Sequence, residues 1–244
     1  MVISNEGNWK DKDRVFTISV DRYDDTMRAG ILYWSGDETG ICIDSYPKLL
    51  KEIEVRLDQR NYPRANMKLR GLQRREPRTV GREEEPVRPE ADQMGRLGIY
   101  TICVTHRRNA SWQGIVSCSE TQEYYRFTSF MKLVEYLDTR LRMRAGKAAD
   151  QSAENAGQHF ERCLSVVMEW SEKRKLLPNV YLYRCTKAHH TQTFIIRPMF
   201  YEHGTCQGIL YWKEHQQQCR FRSFLELVSS ISDVLENVQQ SRQG

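Results

Sequence analysis

Five arginines are the residues best suited to grip a charged ligand: Arg70, Arg74 and Arg75 in one basic stretch, and Arg107-Arg108 further along. A guanidinium is planar, permanently charged and forked, so clustered arginines hold phosphate oxygens, and such binding weakens as salt rises. These five are the candidate phosphate or nucleic-acid contacts. The competing reading of the first three is a solvated charge run. Arg64, Lys68, Arg78 and Arg82 extend it, Glu83-Glu84-Glu85 closes it, and Tyr62 is its single ring for stacking on a base.

Catalytic and metal chemistry have less footing. His189-His190 with Cys185, and His203 with Cys206, are the close Cys/His groupings, and neither has the ligand spacing of a zinc site. A Cys–His nucleophile needs an orienting third group, which no local spacing supplies. No P-loop, G-x-S-x-G, H-E-x-x-H or G-x-G-x-x-G run occurs. The chain is therefore read as non-catalytic, with no catalytic residue, metal ligand or cofactor assigned.

The elements that would position these side chains come in three similar stretches. Phe16–Leu57, Tyr100–Leu141 and Phe194–Leu235 align without a gap over 42 positions, at offsets of 84 and 94. Gly-Ile-Leu-Tyr-Trp at 30–34 returns at 208–212, and as Gly-Ile-Val-Ser-Cys at 114–118. In each stretch apolar residues alternate first, as in Tyr100, Ile102 and Val104, and then recur at helical spacing, as in Phe130, Leu133, Val134, Leu137 and Leu141. Short polar turns separate the alternating runs, which suits antiparallel hairpins. Ser45, Ser129 and Ser223 precede the helical runs, where a hydroxyl accepts from a free N–H of the first turn.

The fold class expected is α+β: three repeated β-β-β-α units packed together, with antiparallel sheets, one helix per unit and an extra amphipathic helix. The units span 10–58, 97–146 and 191–240. Phe16, Trp34, Leu50, Tyr100, Phe127, Val134, Phe194, Trp212, Phe221 and Val228 form the expected repeat core. A unit this small buries too little surface to stand alone, so the three should associate into one body. Residues 59–96, rich in Arg and Pro, read as a flexible linker. Residues 147–190 read as an insert with a helix over about 153–175, marked by Phe160, Cys163, Leu164, Val167, Met168 and Leu176 and closed by Pro178.

Three resemblances attach to these residues. Asn109-Ala110-Ser111-Trp112-Gln113-Gly114, with Arg70 and Arg74 as an R-x-x-x-R ahead of it, resembles the cyclic-di-GMP signature of PilZ domains, which implies a cyclic-dinucleotide ligand. Gly114 is also the equivalent of Gly30 and Gly208, and a structural glycine accounts for the same match. The β-β-β-α order resembles double-stranded-RNA-binding domains in topology, but the helix starts carry no basic cluster. The Trp-Gln-Gly strand of the second stretch and Phe221-Arg222-Ser223-Phe224-Leu225-Glu226-Leu227 of the third resemble a small repeat domain of bacterial proteins to which no activity is assigned. The first stretch departs from it at Ile43-Asp44-Ser45-Tyr46. That resemblance implies a cytoplasmic bacterial accessory or regulatory protein and carries over no site.

Bulk properties set the remaining bounds. The chain has 244 residues, 39% hydrophobic and 28% charged, which is the composition of a globular protein. Net charge is +5, which permits contact with nucleic acid without arguing for it. No run of 18 apolar residues occurs, and Met1-Val2-Ile3-Ser4-Asn5-Glu6 carries no leader pattern, so neither a membrane span nor secretion is expected. Seven scattered cysteines without a C-x-x-C pair fit a reducing cytoplasm. The expected function is binding of another macromolecule, first a protein, with the turns at 21–28, 106–113 and 201–207 carrying specificity. A nucleotide or nucleic acid held by the arginines is the alternative, an enzyme comes third, and homo-oligomerisation stays open.

Overall fold

The structure, a computed structural model, describes residues 13–34, 39–72, 95–147, 155–187 and 190–240. Alternating apolar residues build the first strands, β1 (Val15–Tyr23), β2 (Met27–Trp34) and β3 (Ile41–Ile43), and helical spacing then builds α1 (Tyr46–Arg60). The pattern continues with β4 (Gly98–His106), β5 (Gln113–Cys118), β6 (Tyr124–Phe127) and α2 (Phe130–Arg144). Next come α3 (Ala156–Val167), β7 (Glu172–Leu177) and β8 (Val180–Lys187). The chain closes with β9 (His190–Glu202), β10 (Thr205–Trp212), β11 (Gln217–Phe221) and α4 (Phe224–Gln240). The fold is α+β, with two antiparallel sheets and four helices among the described residues.

One sheet has the order β3-β2-β1-β4-β5-β6 and the other β11-β10-β9-β8-β7. At the centre of the six-stranded sheet Thr17 faces Thr101, Phe16 faces Ile102 and Ile18 faces Tyr100. The 84-residue offset exchanges these pairs, so a local two-fold passes between the threonines, whose hydroxyl oxygens lie 3.5 Å apart. Inward residues of both sheets and apolar residues from all four helices form a single core. Phe224 to Ser232 of α4 are buried without a break, as expected of a helix held between two sheets rather than lying on one. The expected core residues are all buried except Trp34, which is half-buried beneath the Arg56 guanidinium, 3.7 Å from the ring centre.

Gly30, Gly114 and Gly208 face a carbonyl on the neighbouring strand. A Cβ at these positions would fall on the carbonyl oxygen of Ser19, Cys103 or Arg197 respectively. Only glycine allows so close a backbone approach.

Two expectations need correction. The helix of the insert ends at Val167, and residues 172–187 form the β7–β8 hairpin, which adds to β9. Tyr181, Tyr183 and Cys185 are buried in alternation, a period of two that helical counting from Phe160 ran past. Pro178, expected to close a helix, instead opens the hairpin turn, with Asn179 behind it at φ 58°. The expected linker is part of the body over its first portion. Residues 59–60 belong to α1, Leu69 and Leu72 pack on the core, and the Asn66 N–H donates to the Arg107 carbonyl at 3.0 Å. The remainder, 73–94, lies outside the described residues.

Candidate functional site

Arg107 is buried and lies between two carboxylates of α1, donating to Glu54 and Asp58 at 2.5 Å each. Glu54 also accepts the Trp112 indole N–H. Burial by itself would lower the guanidinium's pKa, and the two carboxylates outweigh it, so the value rises above its ordinary range. This arginine is occupied by the fold. Arg108 is exposed, and its main-chain N–H and carbonyl are both held at 3.0 Å by the Gln113 side chain, which closes the turn. Arg70 is exposed as well. Its N–H donates to the buried Glu226, and its carbonyl accepts from Ser230 Oγ at 3.1 Å. Arg74 and Arg75 lie outside the described residues. The five arginines are thus not assembled into one basic group among the described residues.

The N-x-S-x-x-G run is also engaged within the fold. Asn109 and Ala110 take φ of 55° and 52° in the turn, Ser111 Oγ accepts the Phe130 N–H at 3.0 Å, and Trp112 lies in the core. Two of the three turns expected to carry specificity are pinned to helix starts. Ser129 Oγ donates to the Gly204 carbonyl at 2.6 Å, and Ser223 Oγ donates to the Ala110 carbonyl at 2.5 Å. The 94-residue offset carries one bond onto the other, with the Phe130 and Phe224 rings stacked between them at 6.2 Å. Both serines also cap their own helices, at 3.2 Å to the Lys132 N–H and 3.0 Å to the Glu226 N–H. Ser45 departs from this pattern: its hydroxyl donates to Asp44 at 2.8 Å and caps no N–H. The remaining turn is exposed at Asp24 and Asp25, which pair with Lys147 at 3.2 and 3.0 Å.

A cysteine and a histidine do meet in space, at positions that no sequence motif marks. Cys163 Sγ lies 3.5 Å from His159 Nε2, and Glu135 lies 3.0 Å from the same nitrogen. A catalytic relay needs the thiol and the carboxylate on opposite ring nitrogens. Here both converge on Nε2, and burial pushes the Cys163 thiol up to about 12, away from thiolate formation. Cys206 is buried with a raised pKa for the same reason, and His203, its sequence neighbour, stands exposed in a turn. Cys185 is buried, His190 starts β9, and His189 lies outside the described residues. Among the described residues no three His, Cys, Asp or Glu side chains are grouped to hold a metal ion.

What remains are the two outer sheet faces, which no helix covers among the described residues. On the six-stranded sheet the outward residues at the centre include Thr17, Tyr33, Thr101, Cys103, Ile115 and Ser117, which are half-buried, and Ser19 and Ile31, which are buried; none is charged. Charge appears only toward its margins, at Asp21, Arg22 and Arg126. The five-stranded sheet differs at the same positions: Arg197 and Arg220 stand where the first stretch has Ser19 and Cys42. Both are exposed, as is Arg174 on β7. Comparison with family models, curated proteins and solved structures finds no match. No helix among the described residues is long and apolar enough to cross a membrane.

Proposed function

We propose that the protein is a non-catalytic accessory or regulatory protein that binds a protein partner through the outer face of its six-stranded sheet. The observation that carries the reading is the uncharged centre of that face, from Thr17 to Ser117. Depletion of charge, more than hydrophobicity, distinguishes the core of a protein interface from ordinary surface. In a chain with 28% charged residues, a six-stranded face with charge only at its margins is a departure from composition. We further propose that the body is built from three copies of one β-β-β-α unit. The serine-to-turn bonds exchanged by the 94-residue offset, and the threonine pair exchanged by the 84-residue offset, support that reading. The α3 helix and the β7–β8 hairpin then stand beside the third unit where a fourth would go.

Native mass spectrometry of the protein purified gently from its own host tests the binding reading. The wild type is expected to carry a second polypeptide, and Thr101→Arg, which puts a charge at the centre of the face, is expected to lose it. A chain with no bound polypeptide, or one bound equally by the variant, counts against the reading. A doubled mass that Thr101→Arg halves identifies the partner as a second copy of the chain.

A further inference from the structure

The outer face of the five-stranded sheet has a different chemistry. Across its middle, Ile209 lies in register between Arg197 on β9 and Arg220 on β11. One row along, Ile195 lies between Tyr211 and Leu182, with Arg174 beyond Leu182 on the edge strand. Phe200, 55% exposed, completes the face beside Gln207 after the β-bulge in that strand pair. Adjacent strands lie about 4.8 Å apart, so Arg197 and Arg220 flank the isoleucine at a separation of about 10 Å. Arg174, Arg197 and Arg220 form no ion pair among the described residues. A fourth outward arginine, Arg184, is bonded to Glu172. The other carboxylate on these strands, Glu202, lies at the far end of β9.

From this arrangement we infer that the face binds single-stranded nucleic acid. Three unpaired guanidiniums around an apolar patch call for a polyanion, because each retains its full charge for a phosphate. The rings among them narrow the choice. Tyr211, half-buried, and Phe200, exposed, are rings of the kind on which unpaired bases stack, an interaction worth about 1–3 kcal/mol per base and tolerant of sequence. A duplex keeps its bases stacked on one another, and this face raises no helix or two-stranded ribbon to enter a groove. An acidic protein segment would answer the arginines but leave the rings unused. The site uses none of the insert's arginines, and Arg70, the insert's described arginine among the candidate contacts, lies against α4. It does not depend on the reading of the six-stranded face.

The test is fluorescence anisotropy of the full chain with a labelled 15-nucleotide single-stranded DNA, titrated at several salt concentrations. Binding is expected at 50 mM salt and should weaken steeply as salt rises. Replacing Arg174, Arg197 and Arg220 by Gln together is expected to weaken it at least tenfold. The same change should lower the slope of log affinity on log salt by about 0.7 for each phosphate that is no longer held. Tyr211→Ala is expected to weaken binding severalfold with the slope unchanged, a split that a general loss of charge does not give. Thermal unfolding of each variant verifies the fold, and Arg197→Glu and Arg220→Glu alone repeat the test should the triple variant unfold. Absence of binding at 50 mM salt overturns the inference. So does equal binding of the same sequence as a duplex, or displacement of the probe by polyglutamate at matched charge. Loss of binding on replacing Arg70, Arg74 and Arg75, with the face variants unaffected, assigns the contact to the insert and overturns it too.

Discussion

Glu135 on α2 faces nitrogen-bearing side chains from its own helix and from α3: Lys132 at 2.8 Å, His159 at 3.0 Å and Arg162 at 3.2 Å. The His159 hydrogen bond, helped by Lys132, outweighs partial burial and holds the carboxyl at about 2, against an ordinary value of 4.5. A carboxyl with a depressed folded pKa contributes stability that is fully present above its unfolded value and is lost as pH falls through the folded one. The window is therefore from about pH 4.5 down to about 2. The difference in unfolding temperature between the wild type and Glu135→Gln should be largest at about pH 5 and above and should shrink at about pH 4 and again at about pH 3. Circular-dichroism melts at these values check it, and a difference that stays constant with pH would contradict the assignment. The same scale shows where residue type misleads. Arg107 and Arg108 read alike in sequence, yet one is buried and held by two carboxylates, the buried Glu54 and the exposed Asp58, and the other is exposed, because only the fold brings Glu54 and Asp58 to the first. Residue type gives the charge; a partner 49 or 53 positions away decides whether that charge is free.

At the scale of elements, the serines at the starts of α2 and α4 have two duties, and Ser45 has neither of them. Replacing Ser129 by Ala removes a cap, which costs about 1 kcal/mol. It also leaves the Gly204 carbonyl without that donor, worth roughly a further 1 kcal/mol as an ordinary hydrogen bond. Ser129→Ala and Ser223→Ala should each destabilise by about 2 kcal/mol in urea unfolding, whereas Ser45→Ala stays within about 0.5 kcal/mol. Equal effects at all three serines would show that the cross-turn bonds contribute nothing. Here the sequence was legible in part. Serine before an apolar helical run marks a helix start, and alternation marks the strands that precede it. The second duty was not legible, since it depends on how segments 94 positions apart meet. The β7–β8 hairpin was missed for a related reason. Its charged first strand, Glu172-Lys173-Arg174-Lys175, has no apolar alternation to reveal it, and it holds its place by pairing with β8, itself paired to β9.

The whole molecule places two unlike faces on opposite sides of one helix layer, and the inward and outward positions of each strand obey different rules. Inward positions are fixed by packing, so the same apolar residues recur from stretch to stretch. Outward positions carry less of that demand, so the exposed Cys42 on one sheet corresponds to Arg220 on the other, and Ser19, though buried, corresponds to the exposed Arg197. A sheet, a helix layer and a second sheet, each about 10 Å thick, hold the two faces about 20 Å or more apart. Charges separated beyond the Debye length, about 10 Å at 0.1 M salt, are largely screened from one another across solvent. Occupancy of the arginine face should therefore leave the neutral face unaffected unless the core shifts between two arrangements. The expected outcome is independence: a saturating 15-nucleotide strand changes the affinity for the protein partner by less than about threefold. Thr101→Arg should abolish partner binding alone, and Arg197→Glu with Arg220→Glu should abolish nucleic-acid binding alone. Measuring each affinity with the other ligand present and absent checks this twice, because any coupling must be equal in both directions. A reciprocal change of tenfold would mean that the two sheets communicate through the helices, with the Ser129–Gly204 and Ser223–Ala110 bonds as the most direct links between them.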